Sequence, residues 1–381
     1  LILAFVYSFT AKNGGWLFGD EWGISVYAWQ IKDSIKEVGY PAVWQTPPPT
    51  SIFVRVPVSL GDYGINGYTY WVSLLYSLFG YVTLLPKIIN SILGASTGIL
   101  SYLIARAIFN RRVAVLSMIL VTFFPSLIFW SVLNLKDTIF ILLSMAILYF
   151  VIRFQKSKDP VYLPLLIIAM FFESTLRSNM LLIILILVIC SYVIMLKKHH
   201  RNVLILAFFI GLAIFVFLNK PLFLKELKSW LSLLIIRHTG NINTQGFGYK
   251  LLPEQYYSMY ADLTTIPFIA ILKLFFLGWI YFIFVPFPWA INSLSELVSL
   301  PQMIFWYGLF VFSLIGIYLC IRVKIKISLC LILYIFLMGS IIVFSSGNIG
   351  TTFRHRDMLT PFFLIFSAFA IEKLFGKGII P

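Results

Sequence analysis

Long apolar runs recur along this chain, and short clusters of lysines and arginines separate many of them. Pro86–Ala105 and Ile266–Val285 are two such runs. A helix that crosses the hydrocarbon core of a bilayer needs about 20 mainly apolar residues. Of the 381 residues, 60% are hydrophobic and only 11% are charged, which is more apolar surface than one water-soluble core can bury. The sequence therefore predicts an all-α, polytopic transmembrane helical bundle of about ten spans.

The basic clusters predict how the chain is oriented. Lysines and arginines accumulate on the cytoplasmic loops of membrane proteins. Three clusters separated by pairs of apolar runs therefore mark three cytoplasmic loops, at Arg106–Arg112, Arg153–Lys158 and Lys197–Arg201. A formal charge of +15 that is distributed in this way sets topology and gives no continuous basic face. Nucleic acid is accordingly not predicted as a partner.

Counting the membrane crossings between these basic clusters predicts the external loops of a single polytopic membrane domain, residues 1–381. The first external loop covers residues 10–83 and holds interfacial helices at Trp22–Val38 and Tyr68–Tyr81. The second external loop covers residues 219–265. Both loops are predicted to face the same side of the membrane.

In one stretch of the chain, a single membrane span would give the wrong number of crossings. The crossings between Thr265 and Pro301 must be even in number, yet a single apolar run lies there. A re-entrant pair of half-helices satisfies the count if the chain breaks near Gly278 or at Pro286 and Pro288. The sequence leaves both break points open.

Two adjacent carboxylates, Asp20 and Glu21, are the sharpest local feature, and Tyr27 follows them. They lie just past the first apolar run, at the membrane surface. A carboxylate held there can take the proton from an acceptor hydroxyl as that hydroxyl attacks a sugar, which is general base catalysis. The alternative is structural, since Asp is a favoured N-cap and Glu favours the first turn of a helix. Residue spacing leaves both interpretations open.

Lys136 and Asp137 form a second charged group on the predicted external side. Charges next to a span are costly unless they are paired or hydrated, which makes the group a candidate for substrate binding. Helix capping by Asp137 is the alternative. Glu173 and Arg177 lie on the same side and are spaced i,i+4, so they can form an ion pair at a helix end.

Arg354, His355, Arg356 and Asp357 precede the last span on the external side, against the usual distribution of positive charge. Two guanidinium groups suit a phosphate or pyrophosphate at the level of the lipid headgroups. Anchoring to lipid headgroups and pairing with Asp357 are the alternatives. No His or Cys cluster has metal-ligand spacing, so the residues predict neither a metal site nor a cofactor.

Together these features resemble the GT-C superfamily of membrane glycosyltransferases, in particular the family 39-like group of protein O-mannosyltransferases and aminoarabinose transferases. The resemblance covers most of the chain in topology, and its motifs are short. The matching positions are Asp20-Glu21 with Tyr27, Pro47-Pro48-Pro49, Leu78-Phe79-Gly80, Lys87 with Asn90, Pro125, Lys136-Asp137, Arg354–Arg356 and Pro361. The proline run lacks the basic or histidine-proline signature of better-known mannosyltransferases, which leaves donor and acceptor open.

The resemblance implies a polyprenyl-phosphate-linked sugar donor, a site on the extracytoplasmic side of the cell membrane, and inversion at the anomeric carbon. The family's catalytic acid then falls on Asp20, with Glu21 beside it. The implied scheme needs no metal, although oligosaccharyltransferase relatives leave open a divalent ion held by Asp20 and Asp137. The substrate-binding set that meets the departing phosphate and the acceptor is Arg354, Arg356, Lys136, Asp137, Lys87, Arg177 and Tyr27.

The function predicted from these residues and the resemblance is a glycosyltransferase of cell-envelope polysaccharide, glycolipid or glycoprotein assembly. Its partners are the lipid-linked donor, a glycan, lipid or protein acceptor, and membrane lipids. A transporter or flippase of a lipid-linked saccharide is one alternative, and a polysaccharide polymerase is another. A polymerase shares the many spans and the external arginines, and a flippase uses those arginines to bind but needs no general base.

Overall fold

The computed structural model describes residues 19–38, 66–177, 180–195, 232, 235–242, 247–258, 266–291 and 294–376. Within these residues the regular structure is helical, apart from a single isolated β-bridge. The chain divides into two compact units between Ile184 and Leu185. About half of the two predicted external loops, and the basic cluster at Lys197–Arg201, lie outside the described residues.

The first unit is built from helices that begin or end at the charged groups singled out in the sequence. Helix α6 begins at Asp137, and helix α7 ends just before Arg177. Helix α3 packs against α4 and α6, and α1 packs against α2. The helices are α1 (Gly19–Val38), α2 (Gly67–Phe79), α3 (Leu84–Ile108), α4 (Arg111–Thr122), α5 (Pro125–Ser131), α6 (Asp137–Ser157) and α7 (Tyr162–Leu176), followed by α8 (Met180–Met195), which continues into the second unit.

The first two basic clusters lie at the same end of the first unit. Lys156, near the end of α6, donates to the carbonyl oxygen of Ala107, near the end of α3. Arg153 Nε donates to the hydroxyl of Tyr162, at the start of α7, over 3.1 Å. The first two basic clusters therefore lie at one end of the unit. Asp137 and Arg177 meet at the other end.

In the second unit, long apolar helices pack against each other in two pairs. Helix α10 lies along α13, and α9 packs against α11. Helix α9 continues through Gly278 and ends at Phe284, just before the cis peptide bond between Val285 and Pro286. The helix therefore does not break near Gly278 but ends at the prolines, and the re-entrant pair itself stays a prediction. The helices are α9 (Phe268–Phe284), α10 (Leu294–Arg322), α11 (Leu329–Ser345), α12 (Ile349–Arg356) and α13 (Thr360–Phe375).

Four helical segments among the described residues are long and apolar enough to cross a membrane, and the number is six if each of two bent helix pairs is one span. This confirms the predicted all-α polytopic bundle. The prediction of about ten spans concerns the whole chain, part of which the structure does not describe. The four are Leu84–Ile108, Asp137–Ser157, Glu296–Arg322 and Lys326–Ser345, and the bent pairs are α4 with α5 and α12 with α13.

Candidate active site

A buried ion pair joins the first turn of α1 to the first turn of α3. Lys87 Nζ lies 3.9 Å from Glu21 Oε1, and neither side chain is exposed. The same carboxylate oxygen accepts the backbone N–H of Asn134 over 2.8 Å. Buried charges are tolerated only when they are paired and hydrogen-bonded, and Glu21 meets both conditions. The Oε1 atom of Glu21 is therefore already in contact with Lys87 and Asn134.

Asn134 lies in the turn between α5 and α6, and its side chain reaches two other helices. Its Nδ2 donates to Ser25 Oγ on α1 over 2.8 Å. Its Oδ1 accepts the hydroxyl of Tyr68 on α2 over 2.7 Å. Burial raises the pKa of Tyr68 well above its ordinary value, so the phenol keeps the proton that it donates.

Asn90 fastens the same turn to α3. Its Nδ2 donates to the carbonyl oxygens of Leu133 at 2.7 Å and Leu135 at 3.0 Å, and it also contacts the hydroxyl of Tyr68 at 2.9 Å. Asn90 follows Lys87 by three residues, so both side chains lie on one face of α3. One face of one helix thus holds both the ion pair and the turn.

Asp137 and Arg177 form a second ion pair at this end of the unit. Arg177 Nη2 lies 3.4 Å from Asp137 Oδ1, and the side chains are 18% and 2% exposed. The carboxylate in the first turn of α6 is also favoured by the helix dipole. Glu173, the partner that spacing suggested for Arg177, instead accepts the hydroxyl of Ser144 over 2.5 Å.

The structure therefore brings four of the predicted site residues to one end of the first unit, namely Glu21, Lys87, Asp137 and Arg177. Lys136 precedes Asp137 and is half-buried. Tyr27 is buried within α1. Asp20 lies in the first turn of α1, but its side chain falls outside the described part of the structure. Its role as a base stays a prediction.

The two predicted phosphate-binding arginines lie in α12 of the second unit and differ from each other. Arg356 is 1% exposed, and its Nη1 donates to the carbonyl oxygens of Ile283 at 3.0 Å and Val285 at 2.8 Å. Its guanidinium also lies over the ring of Trp306. Arg354 is half-buried. In this arrangement Arg356 ties α12 to the proline turn after α9, so a phosphate would have to displace those carbonyls.

An aromatic segment that sequence analysis did not single out covers the start of α12. The hydroxyl of Tyr249 and Thr352 Oγ1 are hydrogen-bonded over 2.7 Å, and Tyr249 stacks on Tyr281. Gly248 and Asn348 form a β-bridge. The parts of the chain predicted as the second external loop and as the approach to the last span therefore lie together. No spacing signal marked Tyr249, since its partners are remote in sequence.

Among the described residues, no group of three or more His, Cys, Asp or Glu side chains could hold a metal ion. Asp137, one of the two ligands that the resemblance leaves open, has a guanidinium beside it. A cation next to the carboxylate disfavours a second cation there. The expectation about Asp20 as a ligand is not tested.

A model of the dolichyl-phosphate-mannose-protein mannosyltransferase family matches residues 67–221, less than half of the chain. The match confirms the predicted resemblance and supports a membrane glycosyltransferase of the GT-C type. It begins after Asp20 and Glu21 and includes Lys87, Lys136, Asp137 and Arg177. Neither a curated protein nor a solved structure matches the chain.

Proposed function

We propose that this chain, as a membrane glycosyltransferase of the GT-C type, moves a sugar from a polyprenyl-phosphate-linked donor to an acceptor on the extracytoplasmic side, with inversion. One observation carries the proposal. The pairs Glu21–Lys87 and Asp137–Arg177 meet at the end of the first unit that lies opposite the basic clusters. Positive charge favours the cytoplasmic side, so this end is assigned to the extracytoplasmic side.

In the proposed chemistry the two adjacent carboxylates, Asp20 and Glu21, have different roles. Glu21 is committed to Lys87 and to the N–H of Asn134, so it holds α1 in place and does not serve as the base. Asp20, the preceding residue, takes the proton from the acceptor hydroxyl. The hydroxyl oxygen forms the new bond at the anomeric carbon, and the bond from that carbon to the phosphate oxygen breaks. Polyprenyl phosphate leaves with the bonding electrons.

The departing phosphate carries negative charge that the site has to stabilise. Lys136 is the proposed contact in the first unit, because it is half-buried and directly precedes Asp137. Lys87 has no exposed side chain and balances Glu21 instead. The phosphate contacts predicted for Arg354 and Arg356 belong to the second unit and stay predictions.

The experiment uses the full chain in lipid vesicles with a membrane extract that supplies glycan, lipid and protein acceptors. The donors are a panel of polyprenyl-phosphate sugars, beginning with mannose, the sugar named by the matched family. Release of polyprenyl phosphate and the anomeric configuration of the product are measured for the natural chain, Asp20→Asn and Asp20→Glu. We expect release with inversion, loss of turnover in Asp20→Asn by about 100-fold or more, and partial recovery in Asp20→Glu.

Two results would contradict the proposal. An intact donor with every sugar in the panel, especially if the donor changes leaflet, would favour a flippase. Full turnover in Asp20→Asn would remove that carboxylate from the mechanism. Donor binding, measured by retention of a labelled polyprenyl-phosphate sugar on the purified protein, should be equal in the natural chain and in Asp20→Asn.

A further inference from the structure

Four buried polar residues form a network between the two ion pairs, and we call it the polar clamp: Ser25, Tyr68, Asn90 and Asn134. All four are 1% exposed or less. They come from α1, α2, α3 and the turn before α6, and the hydrogen bonds between them measure 2.7–2.9 Å. The hydroxyl of Tyr76 extends the network from Ser25 over 3.0 Å. The clamp joins four elements with directional bonds.

Asn134 is the centre of the clamp because its backbone N–H, its Nδ2 and its Oδ1 each make a separate hydrogen bond. Its backbone N–H and its Nδ2 contact Glu21 and Ser25, which lie one turn apart on α1. Its Oδ1 receives the hydroxyl of Tyr68. Two contacts one turn apart fix both the rotation of α1 and its position along its axis. Apolar packing alone would not supply these directional contacts.

The elements that the clamp joins are the ones that carry the proposed chemistry. Asp20 precedes Glu21 on α1, and Lys136 and Asp137 follow Asn134 within three residues. Displacement of a reacting group by about 1 Å can cost a factor of about 100 in rate. A buried polar network is also costly to leave half-satisfied, so a site that only needed cohesion would be better served by apolar side chains.

We infer that Asn134 is a positioning residue for sugar transfer: it holds the helix that carries Asp20 in register with Lys136 at the end of the turn and Asp137 at the start of α6. This inference rests on the proposed function. Asn134 itself touches neither donor nor acceptor in this scheme. It acts through Glu21 and Ser25 on one side and through Tyr68 on the other.

The test uses Tyr68→Phe and Ser25→Ala, because each removes one hydroxyl and leaves the packing of the clamp almost unchanged. We expect kcat to fall by about 10-fold to 100-fold in each, with the KM for the polyprenyl-phosphate sugar changed by less than about twofold. Ser367→Ala is the matched control for Ser25→Ala. It removes a similarly buried hydroxyl and its 2.7 Å bond to the carbonyl oxygen of Leu309 in the second unit, and it should retain the natural kcat.

A second measurement separates positioning of Asp20 from a general loss of structure. Tyr68→Phe is combined with Asp20→Asn, and residual turnover is followed over long incubations. If the clamp positions Asp20, Tyr68→Phe causes no further loss once that carboxylate is gone. An equal fold-loss in both backgrounds would overturn the inference, as would an unchanged kcat in Tyr68→Phe. Full turnover in Asp20→Asn alone would instead overturn the proposed base, so the two failures are distinguishable.

Discussion

Lys87 and Glu21 form an ion pair in which neither side chain is exposed, although they belong to different helices and are remote in the sequence. The ammonium group of Lys87 neutralises the carboxylate next to Asp20, and the backbone N–H of Asn134 donates to the same carboxylate. Glu21 is thus held by the first turn of a helix that is long and apolar enough to cross a membrane. This arrangement ties the first helix to the part of the chain that the family model matches.

Glu21→Gln or Lys87→Met alone should destabilise the protein by about 3 kcal/mol, because either change leaves one buried charge without its counter-charge. The double variant should recover most of that loss. The measurement is thermal unfolding of the detergent-solubilised chain, analysed as a double-mutant cycle. Lys250→Met is the control, since its ion pair with Glu254 is exposed and should contribute less than about 0.5 kcal/mol. Additive effects of the two buried changes would contradict the pairing.

Lys136→Gln should raise the KM for the polyprenyl-phosphate sugar by about 10-fold or more, because a hydrogen bond to a charged group contributes about 1.5–3 kcal/mol. Lys136→Arg keeps the charge and should stay within about threefold of the natural chain. The assay is release of polyprenyl phosphate over a range of donor concentrations. Equal KM values for Lys136→Gln and the natural chain would mean that this ammonium group does not meet the donor.

The sequence could predict which helix ends lie together in the first unit, because the positions of the basic residues can be read directly from it. The pairing of side chains could not. Arg177 had an i,i+4 neighbour in Glu173, but the structure pairs it with Asp137 on another helix. The rotation of one helix against another decides such contacts, and no spacing within a single helix records it.

The two arginines of α12 illustrate the same limit. Arg354 and Arg356 were equivalent in the sequence, yet two residues along an α-helix turn by about 200° and so face different surroundings. Arg356 faces inward to carbonyl oxygens at the end of α9. Asn134 and Tyr68 were not singled out, because a lone amide or phenol within an apolar run resembles an ordinary span residue.

Gly316→Ala should destabilise the second unit by about 1–3 kcal/mol, whereas Gly308→Ala on the same helix, α10, should not. A Cβ at Gly316 would overlap the backbone carbonyl of Phe366 on α13, and backbone cannot move aside as a side chain can. A Cβ at Gly308 would meet nothing within 4 Å, and alanine favours the helix by up to about 1 kcal/mol. Melting temperatures in detergent provide the comparison. Similar melting temperatures for both variants would show that α10 and α13 do not pack this closely.

The stability of the second unit should fall as the pH is lowered from 7 towards 4, owing to His238. The side chain is buried, and burial lowers its pKa from 6.5 to about 4. Its Nδ1 contacts the carbonyl oxygen of Ser346, and its Nε2 lies 3.3 Å from the hydroxyl of Tyr257. That hydroxyl already accepts the backbone N–H groups of Leu251 and Leu252, so it donates its hydrogen to a neutral imidazole.

The direction of the effect follows from proton binding. Below pH 6.5 the unfolded chain protonates this histidine while the folded chain does not, so stability falls with pH until the folded pKa near 4 is reached. The limit of the loss is about 3 kcal/mol. Melting temperatures at pH 7, 6 and 5 should therefore decline less steeply in His238→Gln than in the natural chain. Parallel declines would mean that His238 is not held neutral in the fold.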